Sequence, residues 1–374
     1  MRIHFTSLCF VLAGLLTACA APPKAEVVTL KGAFRNEFLI GAALNPGQFC
    51  ESNALEAALV KQQFNSISPE NVMKWEPIHP LYGRYDFTLA DRYVEFGERN
   101  KMAVIGHSLI WHSQTPAWVF QDERGNPASR DVLLGRMREH IFTVVGRYKN
   151  RIKGWDVVNE ALNEDGTLRP SLWLKIIGED YLLKAYQFAH EADPKAELYY
   201  NDFSLENAPK RRGAIALIKR LQAGGIPVKA VGLQGHYKLN WPSDADLDAT
   251  IAAFASLGVN VNITELDIDV LPSASASVSA DISRKSEPAA SLNPYPDGLP
   301  DSVQTELATR YAALFSTLLR HRGEIGRVTF WGVTDGDSWL NDWPIQGRAS
   351  YPLLFDRAGK PKAAFDAVIN LSRP

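Results

Sequence analysis

The sequence predicts an α/β protein that folds as one (β/α)8 barrel, the architecture known as the TIM barrel. Short apolar runs alternate with longer amphipathic stretches along the chain, eight of each, and several runs are rich in Val, Ile and aromatic residues, as buried parallel strands are. The composition, 46% hydrophobic and 22% charged over 374 residues, is that of a globular protein. Barrels of this kind commonly exceed about 250 residues as one domain, so a second core is not required.

The predicted strands are short, mostly apolar runs with polar or aromatic residues at or just beyond their carboxyl ends. They are Leu39–Asn45, Ser66–Pro69, Ala103–Gly106, Ile152–Asn159, Glu197–Asn201, Ala230–Gln234, Asn260–Thr264 and Arg327–Gly332.

The amphipathic stretches are predicted as helices. Thr88 and Ser129 lie where two helices should begin, and Gly224 and Gly258 lie where others should end. A doubly wound open sheet is the alternative fold, but no glycine-rich phosphate loop follows the first strand, which disfavours it. The predicted helices are Asn53–Gln62, Leu89–Asn100, Val132–Tyr148, Tyr181–Glu191, Ala208–Gln222, Asp246–Ser256, Val303–His321 and Ala363–Ile369.

The first 18 residues are predicted to be a lipoprotein-type secretion signal, because Arg2, an apolar run and small residues follow one another over too short a length for a membrane span. Leu16-Thr17-Ala18-Cys19 resembles the lipobox of bacterial lipoproteins, in which the cysteine is acylated; an ordinary cleaved signal is the alternative. Residues 19–30 are predicted to be a tether, and residues 31–374 the barrel domain. Because Ala20 follows Cys19, we expect an outer-membrane lipoprotein, periplasmic or at the cell surface; a soluble secreted or periplasmic protein is the alternative.

Charge and cysteine content limit the partners. The net charge of −2 gives no electrostatic footprint for nucleic acid, so we expect membrane contact only through the lipid anchor at Cys19. Cys9 leaves with the signal and Cys19 is acylated, so Cys50 remains without a disulfide partner and is expected to pack as a small apolar residue. We expect a monomer without a cofactor.

Residues 272–299 depart from the alternating pattern, since they are rich in Ser, Ala and Pro. They predict a long loop after the seventh strand, on the rim of the barrel mouth. Its Tyr295 either reaches a substrate or lies at a solvated loop tip.

Polar and aromatic groups lie at the carboxyl ends of seven successive strands, where barrel enzymes place their function. Such groups are costly in a core unless they line a site, so they predict a cleft. Two of them, Glu160 and Glu265, are carboxylates on apolar strands that lie across the barrel mouth from each other. Glycoside hydrolysis needs such a pair, one to protonate the leaving oxygen and one on the other side of the anomeric carbon. Taken singly, each glutamate could equally be half of a buried ion pair.

Six motifs in order resemble glycoside hydrolase family 10, which consists chiefly of endo-β-1,4-xylanases. They are ENVMKW, GHSLIWHSQTP, WDVVNEA, GLQGH, ITELD and WGVTDGDSW, and the resemblance extends from about Gly41 to about Ala364. It implies a (β/α)8 barrel and retention of anomeric configuration by double displacement.

The resemblance also implies roles for individual residues. Glu160 of WDVVNEA would be the acid/base and Glu265 of ITELD the nucleophile. Asn159 would bind the sugar 2-hydroxyl, and His236 and Asp267 would orient and charge-balance the nucleophile. The residues implied to line the substrate subsites are Glu70, Asn71, Lys74, His107, Trp111, Gln114, Gln234, Trp331 and Trp339.

The sequence departs from the family pattern at two places, and it also contains one pair of histidines that could suggest a metal site. Asn201-Asp202-Phe203-Ser204 replaces the usual NDYN-like run, which puts a contact on the leaving-group side in doubt, and the 272–299 loop is longer than in compact members. His107 and His112 invite a metal site, but their spacing does not suit one and no third ligand is evident, so no metal is expected.

The function expected from these residues is retaining endo-hydrolysis of β-1,4-xylosidic bonds in xylan or xylo-oligosaccharides. Two alternatives remain at this point. A retaining β-1,4-glucanase is one, because xylose and glucose differ by a single hydroxymethyl group. A non-catalytic glycan-binding lipoprotein is the other, although a pure binder has no need of both glutamates.

Overall fold

The computed structural model describes residues 28–273 and 285–372. The predicted signal, Cys19 and most of the predicted tether lie outside the described residues. The barrel domain begins one residue earlier than predicted, because the Leu30 side chain is fully buried and its backbone N–H donates to Gln63 Oε1 at 3.0 Å. Leu30 is the first residue of the first helix, and the Thr29 side chain caps that helix. Leu30 therefore belongs to the barrel domain and not to the tether.

The described strands form one closed parallel barrel, which confirms the predicted fold. Each strand from β1 to β6 pairs with the next, β6 pairs with β8, β8 with β9, and β9 returns to β1. The short β7 pairs with the extended end of β8 and is not one of the eight strands that close the barrel. The strands are β1 Leu39–Leu44, β2 Ser66–Pro69, β3 Ala103–Ile110, β4 Gly154–Asn159, β5 Glu197–Asp202, β6 Val228–Leu233, β7 His236–Lys238, β8 Asn260–Asp269 and β9 Ile325–Phe330.

Helices lie between the strands and bury their apolar faces against them, so most of the core lies between the two layers. A separate cluster of Ile105, Tyr199 and Ala230 contains only strand residues, as the interior of a barrel does. The helices are α1 Leu30–Ala33, α2 Pro46–Phe49, α3 Ala54–Gln63, α4 Trp75–Ile78, α5 Thr88–Arg99, α6 Arg130–Arg147, α7 Leu172–Ile177, α8 Tyr181–Ala192, α9 Ala208–Ala223, α10 Asp244–Ala255, α11 Asp301–Arg320 and α12 Ala363–Asn370.

Serine caps fix where several helices begin. The Ser129 side chain accepts from the backbone N–H of Val132 at the start of α6, and Ser243 accepts from that of Asp246 at the start of α10. Each of these helices begins two residues earlier than predicted, because its first turn carries polar residues that the apolar pattern does not reveal.

The strands β3 and β8 extend several residues beyond their predicted carboxyl ends, and this changes how the site is built. β3 continues to Ile110 through a register irregularity against β4, so His107 lies within the strand and not after it. β8 continues to Asp269 because its last residues pair with β7, so Glu265 and Asp267 also lie within a strand.

Three further expectations concern the membrane, Cys50 and the long loop. No helix in the described ranges is long and apolar enough to cross a membrane. Cys50 has a free thiol and is half-buried against the core, as expected for a small packed residue. In the loop, residues 285–299 include a 3-10 turn at Ala290–Leu292, and the half-buried Tyr295 accepts a hydrogen bond through its backbone oxygen from Tyr351.

Candidate active site

Glu160 and Glu265 both lie at the carboxyl-terminal mouth of the barrel. Glu160 directly follows the last residue of β4, and Glu265 lies in β8. They are only 7% and 5% exposed, so each carboxylate depends on hydrogen bonds from neighbouring side chains in place of water.

An amide network connects the two carboxylates. Gln234 Nε2 donates to Glu160 Oε1 at 2.9 Å and lies 3.4 Å from Asn159 Oδ1. Asn201 Nδ2 donates to the same Asn159 oxygen at 2.9 Å and to Glu265 Oε1 at 2.7 Å. The two glutamates therefore flank a short chain of three buried amides.

His236 and Asp267 stand beside Glu265, as the resemblance implied. His236 Nε2 lies 3.2 Å from Glu265 Oε2, and its Nδ1 lies 3.1 Å from Asp267 Oδ2, to which Trp339 Nε1 also donates at 2.7 Å. Burial alone would lower the pKa of His236, but Asp267 and Glu265 outweigh it and raise the pKa to about 10. His236 is therefore a cation at neutral pH.

The charge state of Glu265 follows from these neighbours. Burial raises the pKa of its carboxyl, but the hydrogen bond from His236, the charges of His107 and His236, and the Asn201 amide together bring the pKa below its usual value of 4.5. Glu265 is an ionised carboxylate in an almost dry site, which is the state that a nucleophile requires.

An indole contacts the Glu160 carboxylate, and an arginine contacts the Glu160 backbone. Trp111 Nε1 donates to Glu160 Oε2 at 2.9 Å. Glu160 has a backbone φ of 56°, in the left-handed region that non-glycine residues seldom adopt. The Arg169 guanidinium donates to the backbone oxygens of Glu160 at 2.8 Å and Leu162 at 2.6 Å, and so fixes this turn.

Glu70, Asn71 and Lys74 form a polar wall after β2. Lys74 Nζ donates to Asn71 Oδ1 at 2.8 Å and lies 4.9 Å from the centre of the Trp111 ring. Burial lowers the pKa of Lys74, and the Glu265, Glu70 and Glu160 carboxylates oppose that shift. Burial likewise raises the pKa of Glu70, which Lys74 partly offsets. This wall presents ammonium, amide and carboxyl groups side by side.

His107, Trp331 and Gln114 complete the predicted lining. His107 Nδ1 lies 3.0 Å from Asp156 Oδ2, and its ring meets Trp331 edge to face at 5.7 Å. Gln114 is half-buried after β3, and its backbone oxygen accepts from Glu76. Among the described residues, no group of three or more potential ligands could hold a metal ion.

Two residues that contact Glu160 or Glu265 were not predicted as site residues. Asn201 ends the fifth predicted strand, and its importance follows only from its pairing opposite Asn159, which a sequence does not reveal. Arg169 lies nine residues beyond Glu160 in a polar loop, where its sequence neighbourhood gives no signal. Phe203, at the family departure, is almost buried, with Lys210 Nζ 3.4 Å from its ring centre.

Comparison with known proteins identifies the family to which the chain belongs. The model of glycosyl hydrolase family 10 matches residues 29–371. The chain belongs to this family. Its sequence is 43% identical to endo-1,4-beta-xylanase A of Xylanibacter ruminicola, over 96% of this chain and 97% of that protein, and 42% identical to an endo-1,4-beta-xylanase of Geobacillus stearothermophilus, over 92% and 99%. The solved structure of a family 10 endoxylanase retrieved from a sugarcane soil metagenome superposes with a TM-score of 0.87 at 44% identity, over 92% of this chain and 99% of that one.

Proposed function

We propose that the protein is a retaining endo-β-1,4-xylanase that hydrolyses xylan and xylo-oligosaccharides by double displacement. The single observation that carries this proposal is the pair of carboxylates joined through a buried amide network at the barrel mouth, one of them ionised beside a histidinium ion. Relatives that cover nearly the whole chain and are named endo-1,4-beta-xylanases support the substrate class. A non-catalytic binder would not need this pair.

In the first step, the Glu265 carboxylate attacks the anomeric carbon and the glycosidic C–O bond breaks. The leaving oxygen takes the proton of Glu160, and an ester between sugar and Glu265 results. Trp111 and Gln234 direct the Glu160 carboxyl from two sides. The Asn201 hydrogen bond and the His236 cation keep Glu265 ionised until it reacts.

In the second step, water attacks the same carbon from the side that the leaving group vacated. Glu160, now a carboxylate, accepts the proton of that water, and the ester bond to Glu265 breaks. Both carboxyl groups return to their starting states, and two inversions give net retention.

The remaining lining residues bind the substrate around the scissile bond. Glu70, Asn71 and Lys74 offer charged and amide groups that suit vicinal hydroxyls, whereas the indoles of Trp111, Trp331 and Trp339 suit the apolar faces of pyranose rings. We propose that Asn159 binds the 2-hydroxyl, because its Nδ2 donates to Glu160 Oε1 at 3.3 Å and its Oδ1 accepts from Asn201, which also donates to Glu265. Each of these residues comes from one chain, so we propose that a monomer is the active unit.

The decisive test is hydrolysis of xylan by the purified mature chain, with carboxymethylcellulose as the comparison substrate. We expect short xylo-oligosaccharides from xylan at early times, as endo-cleavage requires, and far slower release from the glucan. Glu265→Ala should abolish hydrolysis while the protein remains folded. Azide should partly restore the release of an aryl group from an activated aryl xylobioside, with a product of inverted configuration. Faster hydrolysis of the glucan, or substantial xylanase activity of Glu265→Ala without azide, would overturn the proposal.

A further inference from the structure

The described part of the long loop, residues 285–299, lies against the loop that follows β9. We call residues 285–299 the brace segment and residues 339–351 the tryptophan loop. They are joined at three points spread along both segments, so the contact is not confined to one tip. The hydrogen bonds are Ser286 N to Pro344 O at 2.8 Å, Ala349 N to Asn293 Oδ1 at 3.1 Å, and Tyr351 Oη to Tyr295 O at 2.6 Å.

The tryptophan loop carries an indole that supports the nucleophile. Trp339 donates to the Asp267 carboxylate at 2.7 Å, and its ring lies 5.0 Å from that of His236. Trp343 stacks on the Trp339 ring with their centres 4.9 Å apart and their planes 18° from parallel. The position of this loop therefore sets where the Trp339 N–H points.

A buried arginine fixes the base of the same loop. The backbone N–H of Arg348 donates to Asn341 O at 2.8 Å, which closes the loop on itself. Its guanidinium, which is 1% exposed, lies 3.5 Å from Asp269 Oδ2 and donates to Pro272 O at 3.2 Å. The tryptophan loop is thus tied both to the first residue of the 272–299 loop and to the brace segment near its other end.

We propose that the brace segment is a positioning element for the part of the cleft that contains Glu265. It holds the tryptophan loop so that Trp339 keeps Asp267 directed at His236, which in turn keeps Glu265 ionised. Asn293 and Tyr351 are the positioning residues, and they act without touching substrate. This inference rests on the proposed function, because it concerns the nucleophile of that mechanism.

Four single variants, and a double variant that combines two of them, separate positioning from a general structural role. Asn293→Ala removes the acceptor of the Ala349 N–H, whereas Asn293→Asp keeps an oxygen in its place. Tyr351→Phe removes only the hydroxyl donor. Ser291→Ala, at an exposed position of the same segment, is the matched control. Each variant is assayed for kcat and KM on an aryl xylobioside across pH, with melting temperature and tryptophan fluorescence measured in parallel.

We expect the Asn293→Ala/Tyr351→Phe double variant to lose kcat by about fivefold, as the loss of such hydrogen bonds suggests. The acid limb of its rate profile should move to higher pH, and its tryptophan emission should shift because the Trp339–Trp343 stack loosens. Asn293→Asp and Ser291→Ala should retain wild-type kinetics.

A double variant with wild-type kcat, acid limb and emission would overturn the inference, as would equal losses in Asn293→Ala and Asn293→Asp. Failure of the proposed function would look different, because the wild-type enzyme itself would then leave the xylobioside intact.

Discussion

The Asn201 amide bridges the two halves of the site, because its Nδ2 donates to Glu265 at 2.7 Å and to Asn159 at 2.9 Å. Thr264 Oγ1 donates to the amide oxygen of Asn201 at 2.6 Å, which fixes the side of the amide that faces Glu265. Gly232 leaves room for this arrangement, since a Cβ there would lie 2.3 Å from that oxygen. Asn201 is thus a fixed donor to the carboxylate of Glu265, the proposed nucleophile.

Asn201→Ala should lower kcat on xylan by roughly a hundredfold, the usual cost of removing one preorganised donor from an active site. Asn201→Asp, which keeps the shape but places a second carboxylate beside Glu265, should be at least as impaired. Steady-state kinetics on xylan with melting temperatures as the folding control measure both. A kcat within about twofold of wild type in either variant would show that this donor is dispensable.

His236→Asn should move the acid limb of the rate profile to higher pH. Glu265 must be ionised to react, and its pKa lies below 4.5 partly because the His236 cation contacts it. Removing that cation leaves the effect of burial less opposed, so Glu265 takes up a proton at higher pH. The profile of kcat/KM between pH 3 and pH 7 (roughly the window in which a glutamate titrates) measures the shift. An acid limb at the wild-type pH would refute this role of His236.

The same ion pair has a consequence for folding. The pKa of His236 rises from 6.5 to about 10 on folding, so its contribution to stability is complete below pH 6.5 and is lost as pH rises towards 10. The free energy of unfolding of wild type should therefore decline over that interval more steeply than that of His236→Asn.

Glu160→Ala should separate the two steps of the mechanism. An aryl leaving group needs little protonation, so the first step should survive and the glycosyl-enzyme ester should accumulate. The alkaline limb of the profile, which reports loss of the Glu160 proton, should disappear. A pre-steady-state burst on an aryl xylobioside, followed by a slow steady rate, is the expected signature. A variant that kept the wild-type alkaline limb would exclude Glu160 as the acid/base.

The fold was predictable because local sequence patterns indicate the alternation of strands and helices. The same patterns show the polar groups at the carboxyl ends of the strands. Glu160 and Glu265 were predicted as the catalytic pair on the same basis, with family motifs to assign their roles. Strand ends were less predictable: β8 extends past Glu265 because β7 pairs with it, and a three-residue strand such as β7 has no periodicity of its own.

Residues that act through tertiary contacts were less predictable, because even Asn201, which ends a predicted strand within a family-like run, does not reveal its partners in the sequence. Asn201 depends on its register opposite Asn159 and on the space over Gly232, and Arg169 reaches the Glu160 carbonyl across a turn. These relationships arise only once the strands are aligned. The contact between the brace segment and the tryptophan loop likewise joins residues about 60 positions apart, as with Asn293 and Ala349.

We propose that Cys19 carries a lipid anchor and that the protein is exported to an outer membrane. A diacylglycerol with a further acyl chain would hold it stably, since a single chain binds membranes only marginally. Native protein should fractionate with membranes, and Cys19→Ser should release or mislocalise it with unchanged activity per molecule. Fully soluble wild-type protein whose mature chain lacks Cys19 would defeat this proposal without affecting the catalytic one.

The central claim, that Glu265 is the nucleophile of a retaining xylanase, is tested most directly by trapping the glycosyl-enzyme. A 2-deoxy-2-fluoro xylobioside with an activated leaving group should inactivate the enzyme in a time-dependent way and add one disaccharide per chain. Mass spectrometry of the digested protein should then find the sugar esterified to Glu265, in the ITELD segment. A label on any other carboxyl group, or turnover of natural substrate to an inverted product without any trapped ester, would contradict the account.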